Sequence, residues 1–326
     1  MQNFFERQQR FLSGFPEARS VIVLAADYGR QDEPGSEQGI APAGRIARYA
    51  LSRDYHHSLR RRLKDFQKKI CTASRMEIRF RQTVDTSPVQ ERALAEAAGL
   101  GFFGKNTCLI RPKGGSFFFL CTLITDLALE AETLPADRWD CGACTLCLEA
   151  CPTNALAEPY RLDASRCISS LTIEHRGPIP PDLRPRMRDW IFGCDICQEV
   201  CPYNRAKRPA SGDGFPAMLP KMMPLSAILR CRTEEQFRAL FQGTPLTRPG
   251  REGLLRNAAI AAGNLRDESL SLELADCLLQ DPSAIVRSHA AWALGRLTNP
   301  AAREILRQAA ADPDAAVRQE VTQALQ

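Results

Sequence analysis

Eight cysteines in one stretch of the chain have the spacing to hold electron-transfer clusters. Cys141, Cys144, Cys147 and Cys151 run C-x2-C-x2-C-x3-C with Pro152 next, Cys194, Cys197 and Cys201 close the stretch with Pro202 next, and Cys167 stands alone between the runs. In a bacterial two-cluster ferredoxin, three cysteines of a run hold one [4Fe-4S] cube and the cysteine before proline crosses to the other. That crossing assigns Cys141, Cys144, Cys147 and Cys201 to one cluster and Cys151, Cys194 and Cys197 to the second. The second then lacks a ligand, because Ile191 occupies the position where the repeat would put its first cysteine, and Cys167 is the replacement. C-x2-C pairs also build structural zinc sites. Eight cysteines, two Cys-Pro endings and the crossed count favour iron–sulfur.

A second candidate is Asp85, in Val84-Asp85-Thr86-Ser87-Pro88. The alternating residues 76–84 read as a strand. Ser87 as N-cap, Pro88 at the first helical position and Gln90 at the capping-box offset predict a helix running to Gly99. Asp85 therefore falls between a strand's end and a helix, where α/β sheets place their chemistry. An aspartate there is as readily a plain turn former. Gly99, Gly101 and Gly104 invite close backbone approach to a ligand, but no phosphate-loop motif is present. Arg60, Arg61, Arg62, Lys64, Lys68, Lys69 and Arg75 crowd one segment, and Arg205, Lys207 and Arg208 follow the last cluster cysteine. Such patches suit a polyanion, and equally a solvated helix face. The pair His56 and His57 reads as a cap or core feature rather than a metal site.

These groups are positioned by three expected units. In residues 1–130, a short helix precedes a buried strand at 20–26, a Gly/Pro-rich loop runs from Pro34 to Gly44, and a helix spans 46–70 with Tyr55, Leu59, Leu63, Phe66 and Ile70 on one face. Strands at 107–110 and 117–125, joined by a turn at Lys113-Gly114-Gly115, complete an α/β domain. Residues 131–210 make a two-cluster ferredoxin-like domain that includes a proline-rich connection from Pro178 to Pro185. After a linker at Ser211-Gly212-Asp213-Gly214, residues 215–326 are HEAT-like helical repeats: Arg256, Arg287 and Arg318 recur every 31 residues, as do Asp281-Pro282 and Asp312-Pro313. Each arginine is expected to cap a helix or pair with Asp281 or Asp312. The fold class expected is α+β multidomain.

Composition agrees with a globular chain: 326 residues, 44% hydrophobic, 25% charged, formal charge +5. The absence of a long apolar run or an export signal leads us to expect a cytoplasmic protein without a membrane span. The five other cysteines, Cys71, Cys108, Cys121, Cys231 and Cys277, are scattered as in a reducing compartment.

In this order, the motifs resemble the epoxyqueuosine reductase family, cobalamin-dependent iron–sulfur enzymes of tRNA modification. The resemblance rests on Gly44-Arg45-Ile46-Ala47-Arg48-Tyr49-Ala50 with Asp54-Tyr55-His56, on Val84 to Val89, on Gly99 to Asn106, on the eight cysteines, on Cys167 to Glu174 and on Gly193-Cys194-Asp195-Ile196-Cys197. The family usually carries a further helical segment before the first strand, which this chain is expected to lack. The resemblance implies reduction of the epoxide of epoxyqueuosine at the tRNA wobble position to give queuosine. It implies a cobalamin domain, with Asp85 as proton donor, its pKa raised by burial beside the corrin. It also implies cofactor contacts, mostly through backbone, at Asp85, Arg48, Leu109, Leu120, Glu174, Ile191, Phe192, Gly193 and Cys194. The expected partners are tRNA, gripped by the repeats and the patch around Arg205, and an unidentified electron donor; a monomer is expected. The rival readings are a reductive dehalogenase-like enzyme and a ferredoxin-type carrier with a protein-docking solenoid.

Overall fold

The computed structural model describes residues 2–28, 42–130, 139–205 and 215–326. The expected loop after Pro34, the linker Ser211 to Gly214, and Lys207 and Arg208 lie outside or mostly outside the described residues. In chain order the elements are α1 (Gln2–Ser13), β1 (Ser20–Asp27), β2 (Ala43–Ile46), α2 (Tyr55–Ser74), β3 (Phe80–Thr83), α3 (Glu91–Ala97), β4 (Phe102–Phe103), β5 (Leu109–Ile110) and β6 (Phe118–Thr125). The cluster segment carries α4 (Leu146–Ala150), α5 (Ile168–Ile173), β7 (Trp190–Phe192) and α6 (Ile196–Glu199). The tail carries β8 (Met222–Pro224), α7 (Leu225–Leu229), α8 (Glu234–Phe241), α9 (Gly250–Leu265), α10 (Ser271–Gln280), α11 (Ala284–Leu294), α12 (Pro300–Gln308) and α13 (Ala315–Leu325).

The first sheet is built around β6, whose run Phe-Phe-Leu-Cys-Thr-Leu-Ile-Thr is buried except at Leu120, the pattern of a strand covered on both faces. β1 pairs along one edge from Ser20 with Thr125 to Asp27 with Phe118, and β3 along the other from Phe80 with Thr125 to Thr83 with Thr122. Leu59 and Leu63 of α2 pack with Phe119, Cys121 and Leu123, while Ala95 of α3 packs with Phe118 and Leu109. Both pairings are antiparallel. The sequence leaves strand direction open, and Asp85 does follow the end of β3.

Local departures from the sequence reading have physical causes. The expected helix from residue 46 begins only at Tyr55, because Asp54 caps it by accepting the His56 N–H at 3.0 Å. Ala43–Ile46 is instead a strand, pairing parallel with β7 and antiparallel with β8. α3 starts at Glu91 rather than after Ser87, and Gln90 makes no side-chain cap. The preceding loop is tied by Glu91, whose carboxylate accepts the Thr83 hydroxyl at 2.7 Å and the Asp85 N–H at 3.1 Å. The glycine-rich stretch does bring backbones together, but strand against strand: β4 pairs with β5, and a Cβ at Gly101 would lie 2.4 Å from the Ile110 carbonyl oxygen.

The sheet β7-β2-β8 takes one strand from each of the three expected units. Ile46, Ile191 and Phe192 enter the same core as Leu225, Leu254, Val286 and Val321. Helix α9 is buried on nearly every side and makes the deepest contact. Its Arg256 donates to the carbonyls of Leu171 (2.8 Å), His175 (2.9 Å) and Gly177 (2.7 Å), and Asn257 donates to those of Thr172 and Ile191, each at 2.9 Å. Arg287 pairs with Asp312 at 2.8 Å and Arg318 donates to the Pro313 carbonyl at 3.0 Å, the structural roles expected of the repeat arginines. Buried His289 accepts the Ile179 N–H at 3.1 Å, and Arg184 pairs with Glu320 at 2.7 Å. The proline-rich connection is thereby held by the tail.

Arg256→Met keeps the apolar stem but strands the buried Leu171 carbonyl and the part-buried carbonyls of His175 and Gly177. At ~1–3 kcal/mol for the buried unsatisfied group, the urea midpoint should fall by the equivalent of about 1–3 kcal/mol; an unchanged midpoint would show that water replaces the guanidinium.

Candidate active site

Asp85 sits just past β3 in a left-handed backbone conformation (φ 53°), which for a non-glycine residue signals a position held by its surroundings. The hold is Glu91, fixed in turn by Thr83, whose hydroxyl lies 2.6 Å from that of Thr122 on β6. Burial raises the Glu91 pKa. Held in this way, Asp85 turns its carboxylate toward the start of α2. Its Oδ2 accepts the Tyr55 hydroxyl at 2.8 Å and lies 3.5 Å from His56 Nε2, an ion-pair contact without hydrogen-bond alignment. On its other side His56 Nδ1 meets Asp54 Oδ1 at 2.6 Å. Tyr55 is clamped between the His56 ring, 4.3 Å away, and the Phe119 ring, 4.2 Å away.

These contacts act against the expected rise of the Asp85 pKa. The Asp85 side chain remains 55% exposed, and His56, then Tyr55, hold its pKa below the ordinary carboxylate value despite partial burial. His56, between two carboxylates, is raised to about 9, Asp54 contributing most and Asp85 next. At neutral pH the proton rests on the imidazole and Asp85 is an anion. His56 was set aside in the sequence as a cap or core residue; Asp54-Tyr55-His56 at a helix start was the available signal, because an N-cap aspartate already sits beside that ring.

Two cavities meet at this cluster. One of about 590 Å³ is lined by Tyr28, Tyr55, Asp85, Leu109, Phe119 and Leu120, the other of about 280 Å³ by Tyr49, His56, Asp85, Glu174, Phe192 and Arg248. Tyr49, Tyr55 and Asp85 line both. The volumes and apolar, aromatic walls suit a large organic cofactor with substrate beside it. Of the residues expected to touch that cofactor, Asp85, Leu109, Leu120, Glu174 and Phe192 face this space. The others do not line it. Arg48 lies over the Phe117 ring at 4.9 Å and reaches Glu199 at 3.3 Å, and the Ile191 side chain is fully buried in the core. Gly193 donates its N–H to Thr172 Oγ1 at 2.9 Å, and Cys194 belongs to the second cysteine set.

Four of the eight cysteines share one space. Cys141, Cys144, Cys147 and Cys201 line one space of about 40 Å³. The thiols of Cys151, Cys167, Cys194 and Cys197 feel one another's charge, and Cys147 of the first set also feels that of Cys197. Among the described residues no three His, Cys, Asp or Glu converge where a single ion would sit; four separated sulfurs around a common space suit a polynuclear cluster. Burial pushes the Cys147 thiol to about 11 and raises those of Cys167, Cys194 and Cys201, so each would need a nearby positive charge such as a metal's to become a thiolate at neutral pH. The Cys197 thiol also contacts Cys108, a residue of the large cavity's wall, which puts the second set nearer that cavity.

Residues 9–86 match the family model for epoxyqueuosine reductase QueG, residues 140–204 that of a 4Fe-4S double cluster binding domain, and residues 248–326 that of HEAT repeats. The epoxyqueuosine reductase of Pseudomonas aeruginosa is 43% identical over 86% of this chain and 78% of its own length. The chain belongs to the epoxyqueuosine reductase family. The Bacillus subtilis member is 35% identical over 90% of this chain and 75% of its own length. A solved epoxyqueuosine reductase holding an epoxyqueuosine-modified tRNA-Tyr stem loop superposes with a TM-score of 0.85 at 32% identity, covering 96% of this chain and 83% of that one. A Bacillus subtilis structure, described with an aspartate catalytic loop swung out of the active site, gives a TM-score of 0.83 at 32% identity. Family membership sets aside the dehalogenase and electron-carrier readings. No described helix is long and apolar enough to cross a membrane.

Two measurements test this geometry. In Asp85→Asn, the His56 imidazole followed by NMR should titrate below its wild-type value of about 9 yet above an ordinary histidine, since Asp54 remains; an unchanged titration removes Asp85 as its partner. Cys167→Ala should lower iron content toward that of one cluster, and a variant that keeps its full iron and spectrum would mean Cys167 is not a ligand.

Proposed function

We propose that this protein reduces the epoxide of epoxyqueuosine at the wobble position of tRNA to give queuosine, with cobalamin in the joined cavities and two [4Fe-4S] clusters feeding it from an external electron donor. The observation that carries the reading is the charged cluster Asp54, His56 and Asp85 with Tyr55 at the junction of two cavities, one of which abuts the second cysteine set through Cys108.

Loss of an epoxide oxygen as water consumes two electrons and two protons. A reduced corrinoid cobalt, when bound, supplies the centre that bonds carbon, which iron–sulfur clusters do not readily do. Tyr28, Leu109, Phe119 and Leu120 would wall the cofactor, and Glu174, Phe192 and Arg248 the substrate side. Cys141, Cys144, Cys147 and Cys201 would hold the outer cluster, and Cys151, Cys167, Cys194 and Cys197 the inner one. As negative charge gathers on the departing oxygen, Asp85 passes on a proton that it takes from His56. A carboxylate alone at this exposure would hold no proton at neutral pH; a neighbouring imidazolium with a pKa of about 9 holds one ready.

Anaerobic incubation of the cluster- and cobalamin-loaded protein with a low-potential chemical reductant and tRNA bearing epoxyqueuosine, followed by nucleoside mass analysis, tests the reading, and absence of queuosine would overturn it. Asp85→Asn preserves size but not the proton path, so turnover should drop by about a hundred- to ten-thousand-fold with tRNA and cobalamin still bound. Near-normal turnover in a stable, loaded variant would remove Asp85 from the chemistry.

A further inference from the structure

The turn between β4 and β5, Gly104-Lys105-Asn106-Thr107-Cys108, belongs by sequence to the first unit yet directs its polar groups at the cluster segment. Every polar group of Lys105 goes there. Its N–H donates to Cys141 Sγ at 3.4 Å, its carbonyl accepts the Tyr160 N–H at 3.0 Å, and its Nζ donates to the carbonyls of Gly142 at 2.7 Å and Cys144 at 3.0 Å. Lys105 and Asn106 both line the space shared by Cys141, Cys144, Cys147 and Cys201. The turn itself is locked. Gly104 donates to the Cys108 carbonyl and Thr107 to that of Gly104, each at 2.8 Å, and the buried Asn106 donates from Nδ2 to the Cys197 carbonyl at 3.3 Å.

The Lys105 ammonium meets only neutral acceptors. Among the described residues it forms no ion pair, so no touching carboxylate cancels its charge. The acids of the neighbouring loop are engaged elsewhere: Asp140 accepts the Gly142 N–H at 2.7 Å, and Glu149 accepts the Thr145 hydroxyl. Fixing a lysine side chain costs rotamer freedom, which the two carbonyl bonds and the attraction of an anionic cluster would offset. The potential of an iron–sulfur cluster follows its net charge, its exposure and the hydrogen bonds to its sulfurs. A cation at this range favours the more negative, reduced state.

We propose that Lys105 raises the reduction potential of the outer cluster, selectively over the inner one, so that the outer cluster accepts an electron from a weaker donor than it otherwise could. The inference rests on the cluster assignment of the proposed function. The step is a single electron: a low-potential donor is oxidised, the outer cluster gains one negative charge, and no covalent bond forms or breaks. The ammonium stabilises that added charge, and the Lys105 N–H does the same at the Cys141 sulfur. The same turn offers the inner set only the Asn106 amide and the Cys108 side chain.

Full-length, cluster-loaded protein is compared with Lys105→Met, Lys105→Gln and Lys105→Arg by anaerobic potentiometry followed by EPR, at matched iron content. In the two neutral variants the reduction equilibrium of one cluster should fall at least ten-fold, about 59 mV for one electron, while the other barely moves and Lys105→Arg stays near wild type. Made in Cys167→Ala protein, whose remaining cluster is the outer one, Lys105→Gln should give the same fall. Unchanged midpoints in an iron-replete neutral variant would overturn the proposal. So would a shift of the inner cluster alone, or an equal shift in Lys105→Arg, since loop geometry rather than charge would then be at work. Should Lys105→Met lose iron, Lys105→Gln, which keeps a donor for the loop carbonyls, carries the test. Loss of outer-cluster iron in both neutral variants with Lys105→Arg fully loaded would make the lysine a clamp of the loop and end the proposal. Protein that shows the shift but yields no queuosine would sink the proposed reaction and leave the role of Lys105 standing.

Discussion

The placement of Arg256 and Asn257 against the ends of α5 and β7 is the contact on which the remaining architecture depends. A short helix such as α5 leaves its last carbonyls unsatisfied, and here those of Leu171 and Thr172 are taken by side chains of α9 inside an apolar core. The cost of burying a guanidinium shows in its pKa, which burial lowers to about 10, and its hydrogen bonds offset that cost. What is fixed by these bonds is the segment carrying Glu174 and Phe192, one wall of the smaller cavity. The repeats thus act on the site through these backbone contacts, and directly through Arg248, which pairs with Glu174 at 2.6 Å in the wall of the smaller cavity.

A second constraint is electrostatic and local. Three ionisable groups and a phenol share a small space at the head of α2, and their ordering decides which carries the proton. Desolvation pulls Asp85 toward neutrality and the imidazolium pulls the other way; the second effect wins because His56 is itself braced by Asp54 from behind. Because the histidine's pKa is raised, the stability gained from its charge is present below its ordinary pKa near 6.5 and is lost as pH climbs through about 9. Acid acts elsewhere: His289, whose pKa burial lowers to about 3, is held neutral, and its cost to folding grows as pH falls below 6.5.

The cysteine grammar, the helical repeat and the apolar β1 and β6 strands were legible because each is a local pattern. Cys167 was reached by counting ligands, and its thiol lies with those of the second set. Ala43–Ile46 was not legible as a strand, because its partners lie far down the chain and the following apolar stripe imposed a helical reading too early. The antiparallel sheet escaped for a similar reason: single strands carry no mark of the direction of their neighbours. Asp85 was found by motif, but the groups that lower its pKa were not. Its anionic state depends on a histidine 29 positions earlier that only the fold brings within 3.5 Å.

The second sheet makes the chain indivisible. β2 lies in its centre, flanked on one side by β7 and on the other by β8, which comes from beyond the cluster segment. A fragment ending before β8 would keep every cluster cysteine and Asp54, Tyr55, His56 and Asp85, yet would lose Arg248 from the smaller cavity and leave one edge of β2 with open backbone donors and acceptors and the core against Ile46 and Ile191 uncovered. Bare sheet edges beside apolar surface recruit other chains. Fragments cut at the apparent unit boundary should therefore aggregate during synthesis, and the catalytic half becomes a soluble, separable unit only if another strand is supplied at that edge.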